Sequence, residues 1–318
     1  MLYVKSLKNK VNFFSSFQKA KNNNVYVGYL GRNNYGDDLL FDIHEKINAD
    51  RYLACLDTFK FQQSSPLNNL VLGGGTIING EIYLNALKKF GKSPSYTFCS
   101  GVIGDKLSTE WVKTLENTNV YTRSEESAKK CIKSGVDAQA LVDPGAFTSL
   151  LYPVKNQKAQ DQVTVTVCPH GKHSSFQYYQ NLIQSIQKIS NSSVILFAAS
   201  FEDLPLCNKL SQTANCKVVA GWKDIGLSNQ IIGTSNLVIS TRLHPSVVAA
   251  SYGVPFFMIS YEKKQQEFLN SIGADNKLYN EKDDITGLLE KSIGDNTLIA
   301  GMSEWQKKYP DFLTKFSK

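Results

Sequence analysis

The residues best suited to chemistry stand where an apolar run meets Thr241-Arg242-Leu243-His244. The run, 237–240, predicts a buried parallel strand, and Pro245 predicts that a helix begins directly after it. Ligands of open α/β sheets bind at the carboxyl ends of strands, where the free N–H groups of a helix start favour anions. Arg242 adds a planar charge suited to phosphate or carboxylate, and His244 can exchange a proton near neutral pH. The pattern predicts an anionic substrate and proton transfer.

A second predicted strand, 255–260, supports this interpretation because it brings Tyr261, Lys263 and Lys264 to the same edge of the sheet. In the alternative interpretation, Arg242 and His244 only cap helices or pair with surface acids. Several donors around one point favour a binding site over that alternative.

The composition is that of a globular chain without a membrane span. Of 318 residues, 42% are hydrophobic and 20% are charged, and no apolar run reaches the roughly eighteen residues that a span requires. The N-terminus lacks the apolar core of a secretory signal. Six scattered cysteines, with no CxxC or Cys/His pairing, predict neither a zinc site nor a disulfide framework, so we expect a reducing cytoplasm.

The net charge of +7 is spread along the chain rather than concentrated in a basic block. It suits anionic small molecules, and it is compatible with peripheral association at an anionic membrane surface. The sequence has no RNA-binding aromatic motif, zinc finger or basic stripe, so no nucleic acid partner is expected.

Strand-like and helix-like segments alternate from end to end, which predicts an α/β fold with parallel sheets covered by helices. We expect a first domain at 1–150, a polar linker at 151–162 and a second domain at 163–318. Two doubly wound, Rossmann-like domains facing across a cleft constitute a GT-B-like architecture. The final helix, 303–316, is a candidate to pack back on the first domain. The alternative is a single large domain.

In the first half, Asn34, Gly36, Asp37 and Asp38 follow a predicted strand and open a helix. Carboxylates at a helix start cap free N–H groups and suit the helix dipole. Equally, one of the two could face the cleft and bind or deprotonate a hydroxyl group. The spacing is not that of the dinucleotide fingerprint G-x-G-x-x-G.

Two more predicted strand ends carry candidate residues. Gly73-Gly74-Gly75 predicts a flexible, donor-rich loop that contacts a ligand, or else a sharp turn that needs positive φ. Arg123 lies between a strand and a helix capped by Ser124, and such an arginine alone is more often a surface cation.

In their order and spacing, these motifs resemble the polysaccharide pyruvyl transferase family. The matching motifs are N-x-G-D (Asn34, Gly36, Asp37), V-L-G-G-G (71–75), the strand-end Arg123, R-L-H (242–244) with Ala249 and Ala250, G-V-P (253–255) and Y-x-x-K-x-x-x-F (Tyr261, Lys264, Phe268).

The resemblance implies a GT-B-like fold and an enzyme that moves pyruvate from phosphoenolpyruvate to a sugar of a polysaccharide or its precursor. The product is a cyclic ketal, and phosphate is released. Neither a cofactor nor a metal is implied. The implied acceptor is a lipid-linked intermediate of capsule, exopolysaccharide or cell wall synthesis at the inner face of the cytoplasmic membrane.

The resemblance assigns donor binding to residues from both halves of the chain. In the family, the donor is held by residues that correspond to Arg123, Arg242 and His244, with Leu243 between the last two. Phosphoenolpyruvate carries close to three negative charges, so two arginines and a third cation, Lys264, suit it. Another candidate is His170, in a Pro-His sequence similar to that of some ketal-forming relatives; alternatively it is a satisfied loop histidine.

For catalysis, we expect His244 to act as the general acid and Asp37 or Asp38 to orient or deprotonate the acceptor hydroxyl. Position 38 departs from the family, which often has Glu there, so the carboxylate of Asp38 has a shorter reach. On the acceptor side we place five residues: Asn34, Gly36, Gly74, Gly75 and Tyr261.

Two other functions remain open. A GT-B glycosyltransferase that uses a nucleotide sugar would share the architecture and would also need a diphosphate-binding Arg or Lys. A non-catalytic regulator or carbohydrate-binding module would tolerate replacement of His244.

Overall fold

The computed structural model describes residues 24–48, 53–55, 67–154, 162–293 and 298–316. These residues form two compact units. Of the described residues, the first unit takes in those up to Arg32, those within Asp37–Pro144 and those from Pro310, and the second takes in Asn33–Gly36 and those within Gly145–Tyr309.

The first unit is built from parallel strands and the helices that connect them. Its strands are β1 (Asn24–Val27), β2 (Leu53–Cys55), β3 (Asn69–Leu72), β4 (Gly75–Ile78), β5 (Tyr96–Thr97), β6 (Ser100–Val102), β7 (Val120–Thr122) and β8 (Ala138–Ala140). The helices are α1 (Tyr35–Ile47, whose first two residues belong to the second unit), α2 (Glu81–Lys88), α3 (Thr109–Leu115) and α4 (Glu125–Lys133).

These strands form two four-stranded sheets, in the orders β2-β1-β3-β5 and β4-β6-β7-β8. Only Gly73 and Gly74 separate β3 from β4, so the chain enters the second sheet almost without interruption. The triple glycine therefore does not end the strand as a loop, because pairing with β6 resumes at Gly75. In the first sheet the chain moves from β1 to β2 and then crosses to β3 on the other side, which creates a switch point between β1 and β3.

The second unit has one six-stranded parallel sheet. Its strands are β9 (Val163–Cys168), β10 (Ser192–Ala198), β11 (Lys217–Ala220), β12 (Leu237–Ser240), β13 (Phe256–Ile259) and β14 (Leu278–Tyr279). The helices are α5 (Thr148–Leu151), α6 (Phe176–Gln187), α7 (Leu204–Ala214), α8 (Ile225–Gly233), α9 (Leu243–Ser251), α10 (Lys263–Ile272), α11 (Thr286–Ser292) and α12 (Ala300–Lys307).

The strand order is β11-β10-β9-β12-β13-β14. The chain adds β10 and β11 on one side of β9 and then crosses over to add β12 on the other side. The switch point of this sheet therefore lies between β9 and β12, and in open α/β sheets ligands bind outside the carboxyl ends of such a pair. Buried aliphatic residues of β9, β10 and β12 pack against α6 to form the core beneath it.

The tail differs from the single helix predicted for 303–316. It forms α12, a break at Lys308, and α13 (Tyr309–Phe316). Pro310 explains the break, because proline cannot donate the backbone hydrogen bond that would continue α12 but is tolerated in the first turn of a new helix. From Pro310 on, the chain belongs to the first unit, where Phe316 packs on Phe98.

The chain passes between the units at Pro144–Gly145, ahead of the linker predicted at 151–162. Residues 151–154 follow the start of the second unit as the end of α5 and a short extension, and 155–161 lie outside the described residues. Among the described residues, no helix combines the length and apolarity needed to cross a membrane.

Candidate functional site

Polar side chains gather at the carboxyl edge of the second unit's sheet, around its switch point. His170 follows β9, Arg242 and His244 follow β12, and Tyr261 follows β13. The turn after β10 adds a group that the sequence analysis did not select, Ser200–Asp203. Four neighbouring strands thus deliver charged or hydrogen-bonding groups to one edge.

Arg242 is held by a fully buried carboxylate. Asp203 accepts from Arg242 Nε at 3.0 Å and from Nη2 at 2.6 Å, a bidentate arrangement. The same carboxylate accepts from the backbone N–H groups of Gly171 and Ser200, both at 2.8 Å. Asp203 therefore ties the strand ends of β9, β10 and β12 together. Burial opposes the charge on Arg242, but the hydrogen bonds and charge of Asp203 raise the pKa of the guanidinium above its usual value.

Glu202 is a second, more accessible partner of Arg242. One carboxylate oxygen lies 2.8 Å from Arg242 Nη2, and the other lies 2.8 Å from Lys172 Nζ. Burial alone would raise the pKa of Glu202, but hydrogen bonds from Lys172 and Arg242 lower it to about 2. The arginine therefore does pair with acids, as the alternative interpretation of the sequence held. Those acids belong to the polar cluster itself, and one of them is fully buried.

His170 is a buried, neutral imidazole at this edge. Burial, and next the charge of Arg242, lower its pKa to about 4. Its Nδ1 accepts from the backbone N–H of Lys172 at 3.2 Å, so the proton resides on Nε2, 4.0 Å from Glu202. The ring centres of His173 and Tyr261 lie 4.5 and 4.8 Å from the ring centre of His170. At neutral pH, His170 can donate a hydrogen bond to a ligand but does not supply a positive charge.

His244 lies in the first turn of α9, one turn from the end of β12. Arg242 is the N-cap residue and makes no side-chain cap, while Ser240 Oγ accepts from the Arg242 N–H at 3.0 Å. The His244 ring lies against the backbone of Gly36: a Cβ placed on that glycine would be 2.0 Å from His244 Nδ1. The R-L-H motif and the N-x-G motif therefore meet within the second unit.

Three more residues of the second unit were predicted for the site: Leu243, Tyr261 and Lys264. Leu243 is 4% exposed, so its side chain belongs to the interior and only its backbone can face a ligand. Tyr261, predicted on the acceptor side, stacks on His173 and contacts His170, a predicted donor residue. Lys264 lies 5.3 Å from the Tyr261 ring centre and pairs with Glu262 at 2.6 Å.

In the first unit, Arg123 is buried rather than a surface cation. Its Nη2 donates to Thr76 Oγ1 at 2.7 Å, and its guanidinium covers Gly101, where an added Cβ would lie 3.2 Å from Nε. Ser124 caps the helix that follows by accepting from the Ser127 N–H. These contacts fix Arg123 at the carboxyl end of β7. That it binds the same donor molecule as Arg242 remains a prediction.

The carboxylates of the N-x-G-D-D motif lie beside the first unit's switch point. Asp37 Oδ1 is 2.7 Å from the position that a Cβ on Gly75 would take, and Gly75 has a φ of +93°. Asp38 accepts from the Gly31 N–H at 3.1 Å, which closes the loop between β1 and α1. Asp37 is therefore next to the glycine segment, whereas Asp38 has a loop-closing contact.

The other predicted acceptor residues, Gly74, Asn34 and Gly36, make close contacts within the protein. The Gly74 N–H donates to the hydroxyl of Tyr26 at 2.8 Å, and a Cβ on Gly74 would lie 2.7 Å from Leu40. Asn34 Oδ1 accepts from the Gly36 N–H at 3.2 Å, and Asn34 forms a β-bridge with Ser200. Asn34 and Gly36 thus lie with the predicted donor residues of the second unit.

One group of side chains has the composition of a metal site. Ligand atoms of His170, Glu202 and Asp203 lie within 4.8 Å of one another. However, both oxygens of Asp203 already accept two hydrogen bonds, and the Arg242 guanidinium lies against both acids. Because this fixed cation neutralises the carboxylates, the group is better described as an ion-pair network than as a metal centre.

Asp203 and Glu202 could have been found from the sequence by one signal. Ser200 and Asp203 form a capping box, a pattern that marks a helix start directly after a predicted strand. That places acids at the same sheet edge as Arg242. Their pairing with Arg242 depends on the neighbouring positions of β10, β9 and β12, which only the strand order provides.

Comparison with solved structures gives the fold. A Listeria monocytogenes protein assigned as a UDP-N-acetylglucosamine 2-epimerase matches with a TM-score of 0.54 and 9% identity, over 92% of this chain and 97% of that chain. The S. aureus MnaA–UDP complex matches with a TM-score of 0.51 and 8% identity, over 92% and 96%. Neisseria meningitidis UDP-GlcNAc 2-epimerase bound to UDP-GlcNAc matches with a TM-score of 0.50 and 10% identity, over 92% and 99%. The predicted α/β, GT-B-like class of two Rossmann-like domains is confirmed.

The sequence comparisons give the family. The search of curated proteins returned no match. The family model for polysaccharide pyruvyl transferase matches residues 27–263, well over half of the chain. That range contains every residue of the ion-pair network, the R-L-H motif and the N-x-G-D motif. The chain belongs to the polysaccharide pyruvyl transferase family.

Proposed function

We propose that the protein transfers pyruvate from phosphoenolpyruvate to a sugar of a polysaccharide or its precursor, forming a cyclic ketal. The observation that carries the proposal is the meeting of Arg242, His244 and His170 at the switch point of the second unit's sheet. Family membership adds the transferase activity and the polysaccharide acceptor.

The donor binds at the carboxyl ends of β9 and β12. Asp203 engages Nε and Nη2 of Arg242, which fixes the plane of the guanidinium and leaves Nη1 to donate to phosphate or carboxylate. His170 donates from Nε2, and the first N–H groups of α9 add a partial positive charge. Arg123 of the first unit supplies the second guanidinium.

His244 is the general acid. It protonates the methylene carbon of the donor, and the adjacent carbon, now cationic in character, is attacked by a sugar hydroxyl that loses its proton. The bond from that carbon to the phosphate oxygen then breaks. A second hydroxyl attacks, loses its proton and closes the ring, so one hydroxyl proton replaces the proton given to carbon and the other leaves with phosphate. Asp37 accepts a hydroxyl proton.

The test is release of inorganic phosphate from phosphoenolpyruvate, measured against a panel of glycan acceptors including lipid-linked ones. Acceptor-dependent release with ketal formation supports the proposal. In a parallel thermal-shift measurement, phosphoenolpyruvate raises the melting temperature. Stabilisation by a nucleoside diphosphate instead would point to a nucleotide-sugar glycosyltransferase.

Two variants separate binding from chemistry. His244→Ala removes turnover but keeps much of the melting-temperature shift with phosphoenolpyruvate, because the arginines still hold the donor. Arg242→Lys weakens that shift strongly, because a point charge does not replace the planar fork. A near-normal rate for His244→Ala contradicts the acid assignment.

A further inference from the structure

A short segment from the first half of the chain is built into the second unit. Asn33–Gly36 lies along the turn that follows β10. The Tyr35 N–H donates to the Ala199 carbonyl at 2.8 Å, and the Phe201 N–H donates to the Asn33 carbonyl at 2.9 Å. These bonds flank the antiparallel bridge between Asn34 and Ser200. The segment is thereby fixed to the turn that also carries Asp203.

Tyr35 anchors the segment from within. Its side chain is fully buried, and its hydroxyl donates to Asn229 Oδ1 at 2.5 Å. The ring makes an edge contact with Phe197 of β10, with centres 5.2 Å apart. Burial raises the pKa of the Tyr35 hydroxyl well above its usual value, so the hydroxyl remains a donor. A buried aromatic ring with a satisfied hydroxyl is a rigid attachment point.

Gly36 directly follows this anchor and forms a wall of the space that holds the His244 ring. A Cβ on Gly36 would lie 2.0 Å from Nδ1 and 2.8 Å from both Cγ and Cε1. Gly36 is the second residue of α1, a helical position where alanine is intrinsically preferred to glycine. The close approach of the imidazole explains why glycine is present.

We propose that Tyr35 and Gly36 are positioning residues that set the location of the His244 imidazole. Tyr35 fixes the segment to the second unit, and Gly36 provides the backbone surface against which the ring rests. The inference deepens the proposed function, on which it rests for the role of His244 as acid. A general acid must be within hydrogen-bond reach of the atom it protonates, so a displaced ring loses activity even when the donor still binds.

The first test is a double-mutant cycle on stability, which does not require activity. Gly36→Ala lowers the free energy of unfolding in the wild-type background and has no cost in the His244→Ala background, because the obstructing ring is gone. Gly287→Ala is the matched control: Gly287 is also the second residue of a helix, α11, and an added Cβ there meets nothing within 4 Å. An equal cost of Gly36→Ala in both backgrounds, or no cost in either, overturns the proposal.

The second test measures the position of the ring. The chain has four histidines, so single substitutions assign their imidazole NMR signals. Gly36→Ala and Tyr35→Phe shift the His244 signals and leave those of His44, which belongs to the first unit, unchanged. Unchanged His244 signals in both variants overturn the proposal.

Enzyme kinetics test whether the position of the His244 ring affects catalysis. Both variants lower kcat, Gly36→Ala by about tenfold to a hundredfold, and change its pH profile. They leave the melting-temperature shift with phosphoenolpyruvate intact. If wild-type protein transfers no pyruvate, the proposed function fails while the cycle and the NMR signals still decide the packing role. A loss of donor binding equal to the loss of kcat contradicts positioning of the acid.

Discussion

Arg242 shares its guanidinium with two acids of different burial. Asp203 has no exposed surface, whereas the side chain of Glu202 is 36% exposed. Removing one partner of a buried ion pair leaves an uncompensated charge, so Asp203 has a structural role that is difficult to replace. Glu202 is accessible to solvent and contributes a negative charge where the donor's negative charges must approach.

Glu202→Gln is therefore expected to increase donor affinity. Removing this charge frees Arg242 and Lys172 from a competitor, and Asp203 still orients the guanidinium. We expect phosphoenolpyruvate to bind roughly fivefold more tightly, about 1 kcal/mol for a partly exposed charge. Titration at low and high salt measures the effect.

Asp203→Asn serves as the comparison for this variant, because it removes a charge from the same guanidinium but at a buried position. It is expected to lower the free energy of unfolding by about 3 kcal/mol. Weaker donor binding by Glu202→Gln would show that this acid helps to hold Arg242 rather than competing with the donor.

Because of the buried His170 imidazole, we expect the folded protein to lose stability in acid. Burial, and next Arg242, lower its pKa to about 4 in the folded chain, while the unfolded histidine titrates near 6.5. Below pH 6.5 the unfolded state therefore binds a proton that the folded state does not. The stability that the neutral His170 imidazole contributes is fully present above pH 6.5, decreases as the pH falls and is lost near pH 4. The free energy of unfolding changes by up to about 3 kcal/mol over this range.

The measurement is urea unfolding at pH 7 and pH 5 for the wild type and His170→Asn. The variant should lose less stability between the two pH values, since asparagine does not titrate. His44 is also buried, and its pKa is lowered to about 3, but it is present in both proteins and cancels in the comparison. An identical loss in both proteins would contradict the assignment.

At the scale of elements, the join between β3 and β4 depends on the Tyr26 ring. A Cβ on Gly73 would lie 2.3 Å from the ring, and the Gly74 N–H donates to the Tyr26 hydroxyl at 2.8 Å. The glycines therefore admit an aromatic side chain from β1 beneath the strand. The structure explains Gly73 and Gly74 without a ligand.

Tyr26→Phe should lower the free energy of unfolding by about 1–2 kcal/mol, because a buried backbone N–H loses its acceptor. Tyr178→Phe is the matched control: among the described residues, the buried Tyr178 hydroxyl has no hydrogen-bond partner, so its removal costs little. Thermal or urea unfolding measures both. Equal effects would show that the Gly74 bond contributes nothing, and the glycine segment would again require a functional explanation.

The order and type of elements follow from the sequence, because apolar strand runs and amphipathic helices repeat in a βαβ pattern. The runs at 69–72, 120–122, 217–220 and 237–240 match β3, β7, β11 and β12. The resumption of pairing at Gly75 was not predicted, since glycine after a strand usually marks its end. In the site, residue types identify Arg242 and His244, but their contacts with Asp203 and Gly36 depend on packing between distant segments.

At the scale of the whole molecule, each unit contains chain from both halves of the sequence. Asn33–Gly36 belongs to the second unit, and the chain from Pro310 belongs to the first. A linear reading of domains cannot reveal Asn33–Gly36, because four residues carry no periodic signal. The C-terminal segment is more accessible to prediction: an amphipathic helix at the end of a GT-B-like chain is a candidate to return to the first domain.

Phe316 should account for much of the attachment of α13. It is 2% exposed, and its ring centre lies 5.0, 5.2 and 5.3 Å from those of Phe98, Tyr121 and Tyr96. Phe316→Ala is expected to lower the free energy of unfolding by about 3–5 kcal/mol, because it leaves a cavity among aromatic rings.

Phe201→Ala is the matched control for Phe316→Ala, because Phe201 is 58% exposed. It should change the free energy of unfolding by less than about 0.5 kcal/mol. Urea unfolding of the two variants measures the difference. A small effect of Phe316→Ala would mean that the chain after Pro310 contributes little to the core of the first unit, and the return of α13 would then be a surface contact rather than a part of the fold.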